Sequence, residues 1–272
     1  MYLVIGLGKT GNSIVRYLQR NDLPFAVFDT REKVDGLDAF QKEHPEISVY
    51  LGSLPEELYS QVAEVITSPG VDCRIPVIQK FVELGVSVVG DIEYFAREVS
   101  APVIAITGTN GKSTVTTLVG EMARSFEISV AVAGNIGNPV LDMLADDQQY
   151  GLWVLELSSF QLDLTSSLQP LAATILNISP DHLDRHHTFA NYMQAKQRVY
   201  KNTEYYLYNR EDPLTEPNNL LDISAERIIS YGLDVPQPGH WGLRELDGEL
   251  YLAHGMENIM PINQAKLRGM HN

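Results

Sequence analysis

Short apolar runs alternate with helical periodicity along most of this chain. Leu3-Val4-Ile5 is a run of the kind buried on both faces of a parallel sheet, and Ile14, Val15 and Leu18 then recur at helical spacing. Strand-like runs follow at residues 25–28, 48–51, 64–67 and 87–89, with a helical pattern over 77–84. The alternation lapses around residues 98–102, and a second series then opens at Ile104-Ala105-Ile106. Helical Val115, Leu118, Val119 and Met122 come next, then strands at 130–132, 152–155, 172–177 and 205–208, with a helix over 191–200. Beyond about residue 225 the character changes to short strands, and Asp247-Gly248 between 241–246 and 249–253 predicts a hairpin. The pattern predicts two α/β domains, 1–96 and 97–272.

Both series begin with a strand that runs into a glycine-bounded turn and a helix. Gly6-Leu7-Gly8-Lys9-Thr10-Gly11 follows the first strand, and Asp29 closes the next one near the offset of a dinucleotide-type βαβ fold. Thr30 and Arg31 lie just beyond that strand's carboxyl end, where open α/β sheets bind ligands, as does Gly70 in the turn Ser68-Pro69-Gly70. Arg31 suits a phosphate, and the glycines read equally as a device for close helix–strand packing. The second turn is Gly108-Thr109-Asn110-Gly111-Lys112-Ser113-Thr114. It is a P-loop in kind, with backbone N–H groups and a lysine for phosphates and a hydroxyl for Mg²⁺. Its G-x-x-G-K-S spacing is two residues shorter than the usual G-x-x-x-x-G-K-[ST]. The expected architecture is a Rossmann-like N-terminal domain followed by a P-loop-type ATP-binding α/β domain, incomplete at its C-terminal end.

Acidic residues outnumber basic ones 35 to 20, a formal charge of −15. Such a surface repels nucleic acid and anionic membrane, so an anionic ligand depends on local basic groups and backbone N–H. Cys73 is the only cysteine, which excludes an internal disulfide and a multi-cysteine zinc site. It reads as a small buried or semi-buried side chain. No apolar run approaches membrane-spanning length and no basic leader precedes the first strand, so a cytoplasmic protein without membrane insertion is expected.

Further polar residues fall at strand ends. Glu156 closes the apolar run 152–155; alone it is an ordinary strand-end carboxylate, and beside a P-loop in the same sheet it becomes a Mg²⁺ ligand. Asn135, in the loop after 130–132, is a neutral donor for a phosphate or an oxyanion. His182 lies in Ser179-Pro180-Asp181-His182-Leu183-Asp184-Arg185-His186-His187, which reads either as a second metal or phosphate contact or as a polar helix start. Lys196, on the helix over 191–200, reads by itself as a solvated lysine.

In order and spacing these segments resemble the Mur ligases of bacterial peptidoglycan precursor synthesis. The short loop 107–114, Gly134-Asn135-Ile136-Gly137, Glu156-Leu157-Ser158-Ser159-Phe160-Gln161, the stretch from Asn177 to His186, and Tyr192 to Lys196 match that family's motifs along essentially the whole chain. The opening glycines with Asp29-Thr30-Arg31 and Ser68-Pro69-Gly70 resemble the branch that adds D-glutamate to UDP-N-acetylmuramoyl-L-alanine. The resemblance implies an ATP-dependent amide ligase working through an acyl phosphate. Gly108 to Thr114 would hold ATP, and Asn272 would approach its adenine. Gly8, Lys9, Thr10, Asp29, Thr30, Arg31, Gly70, Asn135 and Ser159 would hold the UDP substrate. Lys112, Asn135, Glu156, His182 and Lys196 would be catalytic. Two Mg²⁺ sites are implied, one on Ser113 or Thr114 with Glu156, the other on His182 with a carbamylated Lys196. A monomer is expected. The chain stops where the family continues into a further α/β domain, so it is expected to bind substrate without completing ligation. Other Mur-type ligases and a non-catalytic nucleotide-binding module are the rival readings. Folylpolyglutamate-synthetase relatives lack the first domain, and a nicotinamide dehydrogenase leaves the Lys112 loop unexplained.

Overall fold

Leu3, Val4 and Ile5 are fully buried in β1 (Tyr2–Ile5), the middle strand of a parallel sheet, as an unbroken apolar run requires. The structure is a computed structural model that describes residues 1–146, 148–218 and 220–265. Two compact units are present. The first comprises Met1–Ser100 together with residues 136–149 and 160–168, and the second is the remainder.

In the first unit β1 is followed by α1 (Lys9–Arg20), β2 (Phe25–Asp29), α2 (Leu37–Glu43), β3 (Val49–Leu51), β4 (Glu64–Thr67), α3 (Pro76–Glu83), β5 (Ser87–Val89) and α4 (Asp91–Glu98). The strand order is β3-β2-β1-β4-β5, all parallel. The chain reverses its direction of travel at β1/β4, so the strand ends there open onto the crevice of a doubly wound sheet. Leu3, Ile5, Phe28, Val65, Ile78 and Phe81 form the core beneath it. Pro76 sits at the first position of α3, where its fixed φ is helical and its missing N–H costs nothing. The α4 helix, absent from the predicted pattern, ends at Glu98 where the alternation lapses, with Asp91 and Glu93 in its first turn.

In chain order there follow β6 (Val103–Thr107), α5 (Lys112–Ser125), β7 (Val130–Gly134), α6 (Val140–Leu144), β8 (Leu152–Glu156), α7 (Ser159–Asp163), β9 (Ala172–Ile175), α8 (Leu183–His186), α9 (Phe189–Gln197), β10 (Tyr205–Asn209), β11 (Ile228–Tyr231), β12 (Trp241–Leu246), β13 (Glu249–His254) and β14 (Glu257–Pro261). Of these, α6 and residues 160–163 of α7 group with the first unit. The nine-stranded sheet of the second unit is ordered β14-β13-β12-β11-β10-β9-β6-β8-β7. Strands β7 to β11 and β6 run parallel, whereas β12, β13 and β14 form an antiparallel meander. Asp247 and Gly248 both take positive φ, 55° and 77°, the geometry of a two-residue hairpin turn.

Three expectations need adjusting. The β9 strand ends at Ile175, two residues early: the Leu176 N–H still reaches the carbonyl of Thr107 at the end of β6, but Asn177 turns to bond the loop that follows it. The helix over 191–200 begins at Phe189 behind a Thr188 cap and tightens into a 3₁₀ turn at Arg198–Tyr200. The third meander strand, β14, had no sequence signal, since Glu257–Pro261 lacks alternation. No helix among the described residues is long and apolar enough to cross a membrane.

The glycines of the first turn divide by environment. A Cβ on Gly11 would lie 1.7 Å from the carbonyl oxygen of Gly6, whereas one on Gly8 would meet nothing within 4 Å. Gly11 therefore serves close packing of α1 on β1, and Gly8 borders open space. Gly11→Ala should cost about 3 kcal/mol or more of unfolding free energy, because backbone cannot yield as a side chain does. Gly8→Ala should cost no more than about 1 kcal/mol, the usual loss at a helix N-cap. Denaturant unfolding of the two variants checks the contrast, and equal losses would contradict it.

Candidate active site

A cleft of about 510 Å³ lies at the carboxyl ends of β1, β2 and β4 in the first unit. Gly8, Lys9, Thr10, Asp29, Thr30, Arg31 and Gly70 all line it. No side chain caps α1 and its first turn holds no acid, so the N–H groups and dipole of the helix start are available to an anion. Lys9 extends its ammonium to the carbonyl of Gly137 at 2.8 Å. Asp29 is 2% exposed and turns its carboxylate inward on its own chain. It accepts the Leu7 N–H at 2.8 Å and the Arg31 guanidinium at 2.8 and 2.7 Å. Burial pushes this carboxyl up, but the Arg31 and Leu7 hydrogen bonds outweigh it and hold it at about 2. The acid thus fixes the glycine turn and the arginine as one rigid wall.

In the second unit the carboxyl ends of four neighbouring strands, β7, β8, β6 and β9, converge. The loop 108–111 leaves β6 and enters α5 through Gly111, whose φ of 79° is left-handed. No side chain caps α5 either. Glu156, at the end of β8, is 1% exposed and carries the second unit's central contact. Ser113 donates its hydroxyl to one carboxylate oxygen at 2.6 Å, and the Asn135 amide donates to the other at 2.8 Å. Asn135 reaches that position because Gly134 has a φ of 99°, and because a Cβ there would strike the Glu156 carbonyl at 2.2 Å. Lys112 folds back to donate to the Thr109 carbonyl at 3.0 Å. Lys196 lies 2% exposed under the same loop, donating to the Gly108 carbonyl at 2.8 Å. Its ammonium also sits 4.7 Å from the centre of the Tyr192 ring.

The sequence profile of the Mur ligase middle domain matches residues 106–261, and that of the Mur ligase MurD-like N-terminal domain matches residues 1–90. The chain belongs to the Mur ligase family. A protein of Legionella pneumophila (strain Paris) named UDP-N-acetylmuramoylalanine--D-glutamate ligase is 58% identical over 272 residues, all of this chain and 61% of that protein. Its namesake in Pseudomonas aeruginosa is 46% identical over 270 residues, 99% of this chain and 59% of that protein. The chain therefore spans about three fifths of the length of these curated relatives. The solved structure of UDP-N-acetylmuramate:L-alanyl-gamma-D-glutamyl-meso-diaminopimelate ligase from Neisseria meningitides shares the fold. It aligns at a TM-score of 0.60 and 14% identity over 99% of this chain and 88% of that one.

In this chain Lys112, Ser113, Asn135, Glu156 and Lys196 gather around the loop Gly108-Thr109-Asn110-Gly111. Thr114 is exposed and makes no bond to Glu156, so Ser113 is the hydroxyl beside the carboxylate. His182 is half-exposed in a left-handed conformation, φ 49°, with its ring 3.5 Å from Asp181 and edge-on to Tyr192 at 6.4 Å. Ser159 is buried and shares a 2.9 Å hydrogen bond with the His186 ring. Burial, aided by nearby His182, Arg185 and Lys196, lowers the pKa of His186. Asn272 lies outside the described residues.

The surface reading of Lys196 is overturned. α9 turns that face inward, with Tyr192 and Ala195 buried alongside it. Sequence reasoning gave no role to Asn177, Tyr192 or His186, although each touches this cluster. The signal lay in Tyr192 and Lys196 being four residues apart on one helix face. Burial, then the charge of Lys112, depress the Lys196 ammonium to about 7. The unfolded chain then binds the extra proton between pH 7 and the ordinary lysine range, so stability should rise with pH across that window. In CO₂-free buffer, wild type should gain on the order of 2 kcal/mol over Lys196→Met between pH 7 and 9. A difference in unfolding free energy that does not change with pH would contradict the shift.

Proposed function

We propose that this chain serves ATP-dependent amide ligation in peptidoglycan precursor synthesis, joining D-glutamate to UDP-N-acetylmuramoyl-L-alanine in the bacterial cytoplasm, as a monomer. The carrying observation is Glu156 gripped by Ser113 and Asn135 beside a short phosphate loop. The names of the 58% and 46% identical relatives support the choice of amino acid and nucleotide substrate. In this reading residues 1–96 hold the UDP part at Gly8, Lys9, Thr10, Thr30, Arg31 and Gly70, with Asp29 bracing them. Residues 97–272 carry the phosphoryl chemistry, with Asn135 and Ser159 as further substrate contacts.

A carboxylate is a poor electrophile and repels the γ-phosphate of ATP. Lys112 offsets that charge, and the uncapped start of α5 supplies N–H donors to the phosphates. The substrate's alanine carboxylate attacks the γ-phosphorus in line, releasing ADP and forming an acyl phosphate. The amine of D-glutamate then adds to the acyl carbon, and the tetrahedral intermediate collapses to the amide as the nitrogen gives up a proton and inorganic phosphate leaves with it.

The oxygens of Ser113 and Glu156 form a hard donor pair that fits Mg²⁺. His182 and Lys196 both lie against Tyr192, but an amine is no ligand for a hard cation. With its pKa near 7, Lys196 offers the unprotonated amine that adds CO₂, and the resulting carbamate would provide an oxygen donor beside His182. Bound Mg²⁺ would supply charge neutralisation at the phosphates.

The test is phosphate release from ATP by the full-length protein. Release should require UDP-N-acetylmuramoyl-L-alanine and D-glutamate together, and release indifferent to both would contradict the reading. Lys112→Ala should abolish release, a loss of at least about 10³-fold, while affinity for the UDP substrate by calorimetry stays within about twofold. A collapse of that affinity would refute the assignment of nucleotide phosphate and UDP to separate units.

A further inference from the structure

The short phosphate loop is held by a residue outside it. Two successive loop residues are bonded by Asn177, at the end of β9. Its carbonyl accepts the Thr109 N–H at 2.9 Å. Its side-chain oxygen accepts the Asn110 N–H at 2.8 Å, and its side-chain NH₂ donates to the Asn110 carbonyl at 3.0 Å. The amide can face only one way, because Asn110 presents one donor and one acceptor to it. A side chain here takes the place of a neighbouring strand.

Asn177 is itself braced on both sides. The Asn209 amide donates to the carbonyl of Leu176 at 3.1 Å, and Asp212 accepts the N–H of Ile178 at 2.7 Å. The Thr109 hydroxyl adds a second tie, accepting the Ser179 N–H at 3.0 Å. With Thr109 and Asn110 thus committed, their N–H groups are withdrawn from phosphate. The cradle is left to the N–H groups that follow, at Gly111 and in the uncapped first turn of α5.

We propose that Asn177 is a positioning residue for the nucleotide phosphates: it clamps Thr109 and Asn110 so that a loop two residues short of the common length still presents the start of α5 to its ligand. The clamp rests on the reading of this loop as the ATP site, but its hydrogen bonds can be tested without nucleotide. Asn177→Ala removes both side-chain bonds to Asn110. Asn177→Asp keeps the acceptor for the Asn110 N–H but replaces the donor to its carbonyl with a second, anionic acceptor oxygen.

Amide hydrogen exchange on the ligand-free protein should show the Asn110 N–H losing at least about tenfold protection in Asn177→Ala and keeping it in Asn177→Asp. A general packing role would not separate the two variants at one amide. In turnover, Asn177→Ala should raise the KM for ATP roughly tenfold, the worth of one to two hydrogen bonds, with kcat and the KM for the UDP substrate within about twofold. Unchanged Asn110 exchange in Asn177→Ala, equal exchange in the two variants, or an unchanged KM for ATP would each overturn the clamp. A full-length wild-type protein with no ATP-dependent turnover would instead contradict the ligase reading.

Discussion

A carboxylate buried as deeply as Glu156 must be paired or hydrogen-bonded, and meeting that requirement organises the end of the second sheet. Ser113 satisfies one oxygen from the first turn of α5, and Asn135 satisfies the other from the end of β7. Asn135 gets there only because Gly134 can take a positive φ and lets two backbones approach. The N–H of Asn135 adds a 2.8 Å bond to the carbonyl of the same glutamate. Three chain segments distant in sequence are thereby pinned around one side chain, which holds together the hydroxyl and carboxylate proposed for Mg²⁺.

The two units share one local recipe. Each has a central parallel strand that stops at glycine, followed by a helix whose first turn no side chain caps. Each binds its turn with a polar group from a neighbouring strand end. In the first unit this group is Asp29, which holds the Leu7 N–H. In the second it is Asn177, which holds the loop at Asn110. The difference in charge is consistent with the ligands proposed. Asp29 is matched by Arg31 within its own wall, whereas a neutral amide beside Asn110 adds no repulsion for a triphosphate.

Much of this was legible in the sequence, because strands buried on both faces and glycine turns at their ends leave strong local patterns. The hydrophobic runs located β1, β2, β4, β6 and β8, and the Asp-Gly pair located the turn between β12 and β13. What local pattern could not carry was burial decided by packing at long range. Lys196 taken by itself reads as solvated, and only the fold of α9 beneath the Gly108 carbonyl makes it a buried amine. Asn177 read as the last residue of a strand, whereas its hydrogen bonds belong to a loop 67 residues earlier. The β14 strand gave no alternation to detect, since a meander edge is defined by its partner more than by its own residues.

The central claim is that this protein activates a carboxylate by transferring phosphate to it. Isotope tracing tests that most directly. UDP-N-acetylmuramoyl-L-alanine labelled with ¹⁸O in the alanine carboxylate would be turned over with ATP and D-glutamate, and the released phosphate analysed by mass. Attack of the carboxylate on the γ-phosphate predicts one ¹⁸O in the phosphate per amide formed. Phosphate carrying only solvent or ATP oxygen would contradict the account.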